Sequence, residues 1–487
     1  MKKLKKPNLS ALVFCCCLAG LASCIEKSGS PEKQDLLPAL FPDYAGVTIP
    51  SSIAPLNFTV KEPFEEIQAE IKDKKGYKIE THGKKNLRFP SKQWRKIVEK
   101  NKGSAISITV SVKRNGRWLQ YLPFPVYISE YPIDEGLVYR LIAPGYETYS
   151  KMGIYHRSLA DFKQTAILEN TLVTPSCINC HSFRQTSAGD MSLHVRGEHG
   201  GTILKTGGQT VVLNLKTDET ISAGVYPYWH PQGKYIAYSV NHTQQAFHSV
   251  ANERIEVVDS ESDIVVYNIE DYRILSTPLL KTENLETFPS FSADGKSLFF
   301  CLSAKRNLPS EYREIRYNLC RIDFDPATGA FGKQIDTLVR ADTMGKSVSF
   351  ARPSYDGKYI MYTLSDYGNF SIWHKEADLW LLNLQTGERR PLDEANSPDT
   401  ESYHCWSSNS HWFAFSSRRI DGLYTRPYIA SLDENGNATK PFLLPQENPS
   451  DYYAESLYSY NIPEFVNGTV KLNLPCVEKQ LISKKRK

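Results

Sequence analysis

Tyr226-Pro227-Tyr228-Trp229-His230-Pro231-Gln232-Gly233-Lys234-Tyr235-Ile236-Ala237-Tyr238-Ser239 reads as a strand, a polar turn and a second strand. The same pattern returns as Thr287-Phe288-Pro289-Ser290-Phe291-Ser292-Ala293-Asp294-Gly295-Lys296-Ser297-Leu298-Phe299-Phe300. It returns again as Ala351-Arg352-Pro353-Ser354-Tyr355-Asp356-Gly357-Lys358-Tyr359-Ile360-Met361-Tyr362. A fourth copy is Tyr403-His404-Cys405-Trp406-Ser407-Ser408-Asn409-Ser410-His411-Trp412-Phe413-Ala414-Phe415. Gly233, Gly295 and Gly357 are spaced by 62 residues, and Ser410 follows Gly357 by 53. A sheet with two apolar faces cannot stand alone in water, so copies at a fixed period must stack. Radial stacking of four-stranded sheets gives a β-propeller. Further strand runs lie between the copies, such as 378–384 with the turn Gln385-Thr386-Gly387-Glu388. Trp229, Phe291, Tyr355 and Trp406 are expected at equivalent, buried positions.

These copies resemble the WD40-like repeat of TolB-type propellers, whose signature reads close to Pro-x-Trp-Ser-Pro-Asp-Gly-Lys-x-Ile-Ala-Phe. The resemblance implies an all-β propeller over 200–468 with five or six blades. Residues 200–216 and 452–465 then supply an opening and a closing blade. A superhelical solenoid of the same repeats is the competing arrangement.

Working towards the N-terminus, 42–165 also reads as β structure. Ser107-Ile108-Thr109-Val110-Ser111-Val112 alternates, Arg114-Asn115-Gly116 is a hairpin turn, and Trp118 opens the return strand. Further strands are expected at 124–128 and 138–142. One helix is expected over 91–101, with Ser91 as its N-cap and Trp94, Ile97 and Val98 on one face. Short strands with turns between them predict a β-sandwich-like domain.

The first residues bear on the compartment. Met1-Lys2-Lys3-Leu4-Lys5-Lys6 precedes an apolar stretch over 12–21, too short to cross a bilayer. The stretch ends in Leu21-Ala22-Ser23-Cys24, which looks like a bacterial lipobox. That reading makes 1–23 a signal peptide and Cys24 the lipidated N-terminus, with 24–41 a tether. It implies a cell-envelope protein held to a membrane, the outer membrane being favoured, facing the periplasm or the surface. The alternatives are an ordinary signal peptide or a short anchor. The formal charge of +4 matches the four lysines of this leader, so the remainder is near neutral. No domain is basic enough to suggest nucleic acid. The end, 469–487, reads as a solvated tail.

Cys177-Ile178-Asn179-Cys180-His181 fits the c-type haem attachment pattern, within a segment of 166–199. Two thiols must reach the two vinyl groups of one porphyrin, and the adjacent His181 must lie under the iron. The pattern predicts one covalent haem c on Cys177 and Cys180, with His181 as the proximal ligand. Met191 is the first candidate for the sixth ligand and His194 the second. His194 and His199 as backbone-bonded loop residues are an equal alternative, and a five-coordinate iron is another. Half a zinc site, a redox Cys-x-x-Cys and a simple disulfide compete for the motif. Cys301 and Cys320 sit on neighbouring strands, either paired or as buried free thiols.

Together the segments resemble exported TolB-like propeller lipoproteins with an embedded Cys-x-x-Cys-His, often labelled cytochrome c biosynthesis proteins. The segments are Tyr139-Arg140-Leu141-Ile142-Ala143-Pro144-Gly145-Tyr146-Glu147, Cys177 to Phe183, Ser416 to Tyr424 and Pro441-Phe442-Leu443-Leu444-Pro445-Gln446. The label does not establish a role in haem maturation, because the Trp-rich membrane segments of a haem ligase are lacking. The resulting expectation is a membrane-anchored monohaem protein, in electron transfer or redox sensing, whose propeller docks a protein partner. The alternative is a non-catalytic binding scaffold with a structural haem or none. An enzyme is the least supported, since Gly-x-Ser-x-Gly, His-Glu-x-x-His and a phosphate-binding loop are lacking. Asp323-Phe324-Asp325-Pro326 reads as hairpin chemistry, and Arg418, Arg419 and Arg426 as solvated turn residues.

Overall fold

The computed structural model describes residues 30–143, 151–250 and 253–483. Cys24, the leader and 484–487 lie outside the described residues, and so do 144–147 of the resemblance segments.

Gly136–Ile142, Gly153–Ser158 and Gln164–Glu169 pair in series, and Ser459–Val466 adds to the free edge of Gly136–Ile142. Ser176–Phe183, Met191–Gly197, Gly201–Thr206 and Gln209–Leu213 make a second four-stranded sheet. Two more run Ser347–Pro353 to Arg389–Pro391 and Glu401–Trp406 to Phe442–Leu443. An eight-stranded sheet lies between, in which one parallel bridge, Ser262 to Leu285, joins two such runs. Successive innermost strands touch in chain order, and Ser459–Val466 touches both Glu401–Trp406 and Ser176–Phe183. The ring is thus closed by a C-terminal strand in an N-terminal sheet, and the arrangement is a β-propeller.

One backbone feature repeats around the ring. Cys180, Tyr226, Phe288, Phe350, Tyr403 and Ile462 have φ between 49° and 52°. In each innermost strand the ladder slips at that point: after Asn179, Val225, Thr287, Ser349, Ser402 and Asn461. Positive φ is costly for bulky side chains, so its recurrence marks a designed bulge. The bulge turns one side chain to the axis and the next into the seam with the preceding sheet.

The structure corrects several expectations. Strand 138–142 belongs to the sheet closed by Ser459–Val466, not to an N-terminal sandwich. The N-terminal part is one seven-stranded sheet, with a two-stranded ladder of Leu40–Phe41 and Thr59–Val60 beside it. Helix Ser91–Lys100 buries Trp94, Ile97 and Val98 in the core with this sheet, as its periodicity predicts. Its N-cap is Pro90, however, and no side chain caps it. Residues 30–41 are not a free tether: Glu32–Lys33 pairs with Leu119 and Gln120. Residues 469–483 are not a solvated tail, because helix Leu474–Ser483 buries Val477 and Leu481. Gly201–Thr206 and Gln209–Leu213 open no blade of their own; they extend the sheet that starts at Ser176.

Cys301 and Cys320 cannot pair across the ladder. Cys301 stands opposite Leu319 and Cys320 opposite Phe300, so the two thiols leave opposite faces of the sheet. They enter two different core clusters, and both are free. Trp229, Phe291 and Trp406 are buried as expected, but the fourth equivalent residue is Pro353 rather than Tyr355. Pro353 follows the Phe350 bulge by the same interval as Trp406 follows Tyr403.

Candidate functional site at the propeller axis

The Cys177 to His181 segment lies on Ser176–Phe183, an innermost strand of the ring. Cys180 occupies the bulge position that Tyr226, Phe288, Phe350, Tyr403 and Ile462 occupy in the other innermost strands. The aromatic members pack edge-on or tilted against one another around the axis. Ring centres are 4.5 Å apart for Tyr226 and Phe288, 4.1 Å for Phe288 and Phe350, and 4.9 Å for Phe350 and Tyr403. Cys180 completes this plug beside Tyr226 and Tyr403 and is 2% exposed. Burial pushes its thiol above the usual range, against the opposing charge of Arg196.

His181 takes the next position and enters the seam instead. Its ring faces the backbone of Val138 and Ile462 in the preceding sheet. Neither ring nitrogen makes a hydrogen bond of normal geometry. Burial, helped by the positive charge of Arg140, pushes its pKa down to about 3, so the ring is neutral. His404 repeats this placement. It follows Tyr403, faces Met361 and Phe350, and its Nε2 lies 2.9 Å from the Met361 carbonyl oxygen. Val138 and Met361 are matching second-strand residues, and Ile462 and Phe350 are matching plug residues.

A second set of bonds confirms the alignment. Trp229 Nε1 donates to the Ser182 carbonyl at 3.2 Å, and Trp406 Nε1 donates to the Arg352 carbonyl at 2.8 Å. Ser182 follows Cys180 by two residues, and Arg352 follows Phe350 by two. Residues 177–183 therefore sit in the repeat frame.

On one side of the plug, Asn179, Thr287, Ser349, Ser402 and Asn461 line the axis. Arg140 Nη1 donates to Asn179 Oδ1 at 2.5 Å, and Ser371 bridges Ser349 and Ser402 at 2.8 and 2.9 Å. On the other side Ser182, Tyr228, Arg352, Cys405 and Glu464 surround a cavity of about 40 Å³, room for a water or two. Glu464 accepts the Phe183 N–H at 2.9 Å, and burial pushes its pKa up to about 8.

The long hairpin of Tyr235–Val250 and Glu253–Asn268 reaches over the polar mouth. Asp259 accepts from Asn241 at 2.8 Å and from Asn369 at 2.6 Å. Glu256 accepts the Tyr367 hydroxyl at 2.9 Å, with His374 Nε2 at 3.5 Å. Burial pushes Asp259 up to about 7.

Tested against a c-type haem, these residues do not fit. Cys180 turns to the axis and His181 into a packed seam, whereas a haem needs both thiols and the imidazole on one side. Met191 and His194 do not converge on His181 either. Met191 stands opposite Phe183 in the core between two sheets, and His194 opposite Asn179 on the other face of the same strand. His194 Nδ1 lies 3.0 Å from Thr202 Oγ1. Among the described residues no group of three or more His, Cys, Asp or Glu side chains is placed to hold a metal ion. Arg418 and Arg426 are 4% and 1% exposed, not solvated, and Arg418 stacks on Trp373 at 4.0 Å. The plug itself escaped sequence reading. Its signal was an aromatic residue seven places before each turn residue, as in Tyr226 with Gly233 and Tyr403 with Ser410.

No protein-family model and no curated protein matches the chain. Among solved structures, the tricorn protease aligns at a TM-score of 0.36 and 11% identity, over 70% of this chain and 34% of that one. Prolyl oligopeptidase B from Galerina marginata aligns at 0.36 and 10%, over 62% and 44%. A DUF4784 family protein from Bacteroides caccae aligns at 0.31 and 9%, over 74% and 97%. The chain spans about a third of the tricorn chain and under half of the oligopeptidase. At these scores the likenesses carry no argument, and the propeller arrangement rests on the strand pairings.

Proposed function

We propose that this chain is a non-catalytic binding propeller, six-bladed and TolB-like in its repeats, held at the cell envelope by a lipid on Cys24. The N-terminal sheet would be a sandwich-like companion to the propeller, and a protein or small ligand would dock at the polar mouth. One observation carries the reading: Cys180-His181 and Tyr403-His404 are the same two positions of the repeat. The motif is then explained by packing, with Cys180 filling the plug and His181 the seam. No redox role is needed to account for either residue.

The electron-transfer reading keeps one observation in its favour. His181 has two buried ring nitrogens without a hydrogen bond of normal geometry, and such atoms are costly unless something binds them. A haem on Cys177 and Cys180 would require Ser176–Phe183 to leave the seam. An alkaline pyridine haemochrome spectrum decides between them, on protein made in a host with haem-attachment machinery. The binding propeller predicts no haem band, from wild type or from Cys177→Ser with Cys180→Ser. A band present in wild type and lost in the double variant overturns it. The anchor is tested separately: Cys24→Ser should leave the precursor uncleaved or release the protein in soluble form.

A further inference from the structure

A cavity of about 450 Å³ opens between the sheet that carries Cys177 and the base of the long hairpin. Its size is that of a small-molecule site. Among the described residues that line it, Arg196, Lys216, His194 and His242 are basic, and none is a carboxylate. The imidazoles are engaged, His194 with Thr202 and His242 with Glu261 at 3.0 Å and the Ile221 carbonyl at 2.9 Å. The Arg196 and Lys216 side chains have no hydrogen bond or ion pair with any described residue.

Apolar side chains share the lining. Leu213, Leu215, Ile221 and Val225 are among them, and the plug residue Tyr226 lines the cavity too. Because Tyr226 belongs to the axial plug, the cavity reaches that plug. Two cations with no partner among the described residues, in a cavity also lined by apolar side chains, make a complementary surface for a ligand with one anionic end and one apolar end. A guanidinium fork matches a carboxylate in plane and can donate two parallel hydrogen bonds to it.

We propose that this cavity binds a small amphiphilic carboxylate, its head group on Arg196 and Lys216 and its apolar body against Leu215, Ile221 and Tyr226. The proposal rests on the binding-propeller reading and names a ligand class for it. Because Arg196 and Lys216 are exposed, the interaction is partly screened and weakens with salt.

Calorimetric titration of the mature full-length protein with octanoate, octan-1-ol and octylammonium tests this. Octanoate should bind about tenfold or more tighter than octylammonium, and more weakly at high salt. Arg196→Glu and Lys216→Glu should each weaken octanoate about tenfold while leaving the melting temperature and octan-1-ol binding unchanged. Equal binding of octanoate and octylammonium, no octanoate binding, or an unaffected Arg196→Glu variant would overturn the site. A haem band alongside charge-selective octanoate binding would overturn the binding-propeller reading and leave the cavity assignment standing.

Discussion

His181 and His404 hold one position in two different sheets. Each follows a plug residue of positive φ, and each turns into the seam against the plug and second-strand residues of the sheet before it. His404 Nε2 meets the Met361 carbonyl at 2.9 Å, and the Val138 backbone takes the same place beside His181. His404→Ala should therefore cost about 1 to 3 kcal/mol, since the buried Met361 carbonyl loses its donor. His181→Ala should cost no more, because it removes no well-formed bond. Urea unfolding of the two variants checks the order; a larger loss at His181 would point to a bound partner there.

How much of this was legible in the sequence differs from residue to residue. Asp294-Gly295-Lys296 and its relatives announced the repeat because only a few residue types suit a left-handed turn position, so the signal was chemical. The placement of Cys177 to His181 was not legible. Cys180 and Tyr403 share a backbone conformation but no side-chain chemistry, and Ser187 stands seven places after Cys180 where Gly233 follows Tyr226. A motif with strong chemistry therefore hid a weak structural repeat. The true ring closure was also hidden, since pairing between Gly136–Ile142 and Ser459–Val466 leaves no local trace.

The axial plug should behave as core. Phe350 is 3% exposed and lies among Phe288, Tyr226 and Tyr403. Phe350→Ala should cost about 3 to 5 kcal/mol through lost burial and a cavity. A variant as stable as wild type in a denaturant titration would mean that the ring is not packed at its axis.

Two glycines of the repeat should differ in a way the sequence does not show. Gly295 and Gly357 have φ of 73° and 74°. A Cβ at Gly357 would meet nothing closer than Ala293 Cβ at 3.5 Å, whereas at Gly295 it would fall on the buried ring of His230. Gly357→Ala should cost about 1 to 2 kcal/mol from the left-handed conformation alone. Gly295→Ala should cost about 1 to 3 kcal/mol more, because His230 Nε2 loses the Gly295 carbonyl at 3.1 Å. Equal melting temperatures for the two variants would refute the contact.

Stability should fall as pH rises from neutral. Burial holds Asp259, Glu286 and Glu401 at about 7 and Glu464 at about 8. In the unfolded chain these carboxyls titrate near 4, so between about pH 4 and pH 8 the folded state binds more protons. Stability is then lost as pH rises through that window. His181 and His404 act in the opposite sense, but only below about pH 6.5, where the unfolded imidazole gains its proton. Between pH 6.5 and pH 8 the carboxyls remain, and Asp259 alone contributes roughly 1 kcal/mol of the loss. Asp259→Asn should make the urea midpoint less sensitive to pH over that range. An unchanged slope would remove Asp259 from the account.

The central claim is that Cys180 fills the axial plug and His181 the seam, with no thioether on either cysteine. Thiol alkylation read by mass spectrometry tests it most directly, on protein made in a haem-attaching host. In the native protein Cys177, which is partly exposed, should be alkylated, and Cys180 should be protected. After unfolding in denaturant, both should be alkylated to completion. Cys177 and Cys180 both blocked after unfolding, on a peptide that carries the mass of one haem, would contradict the account.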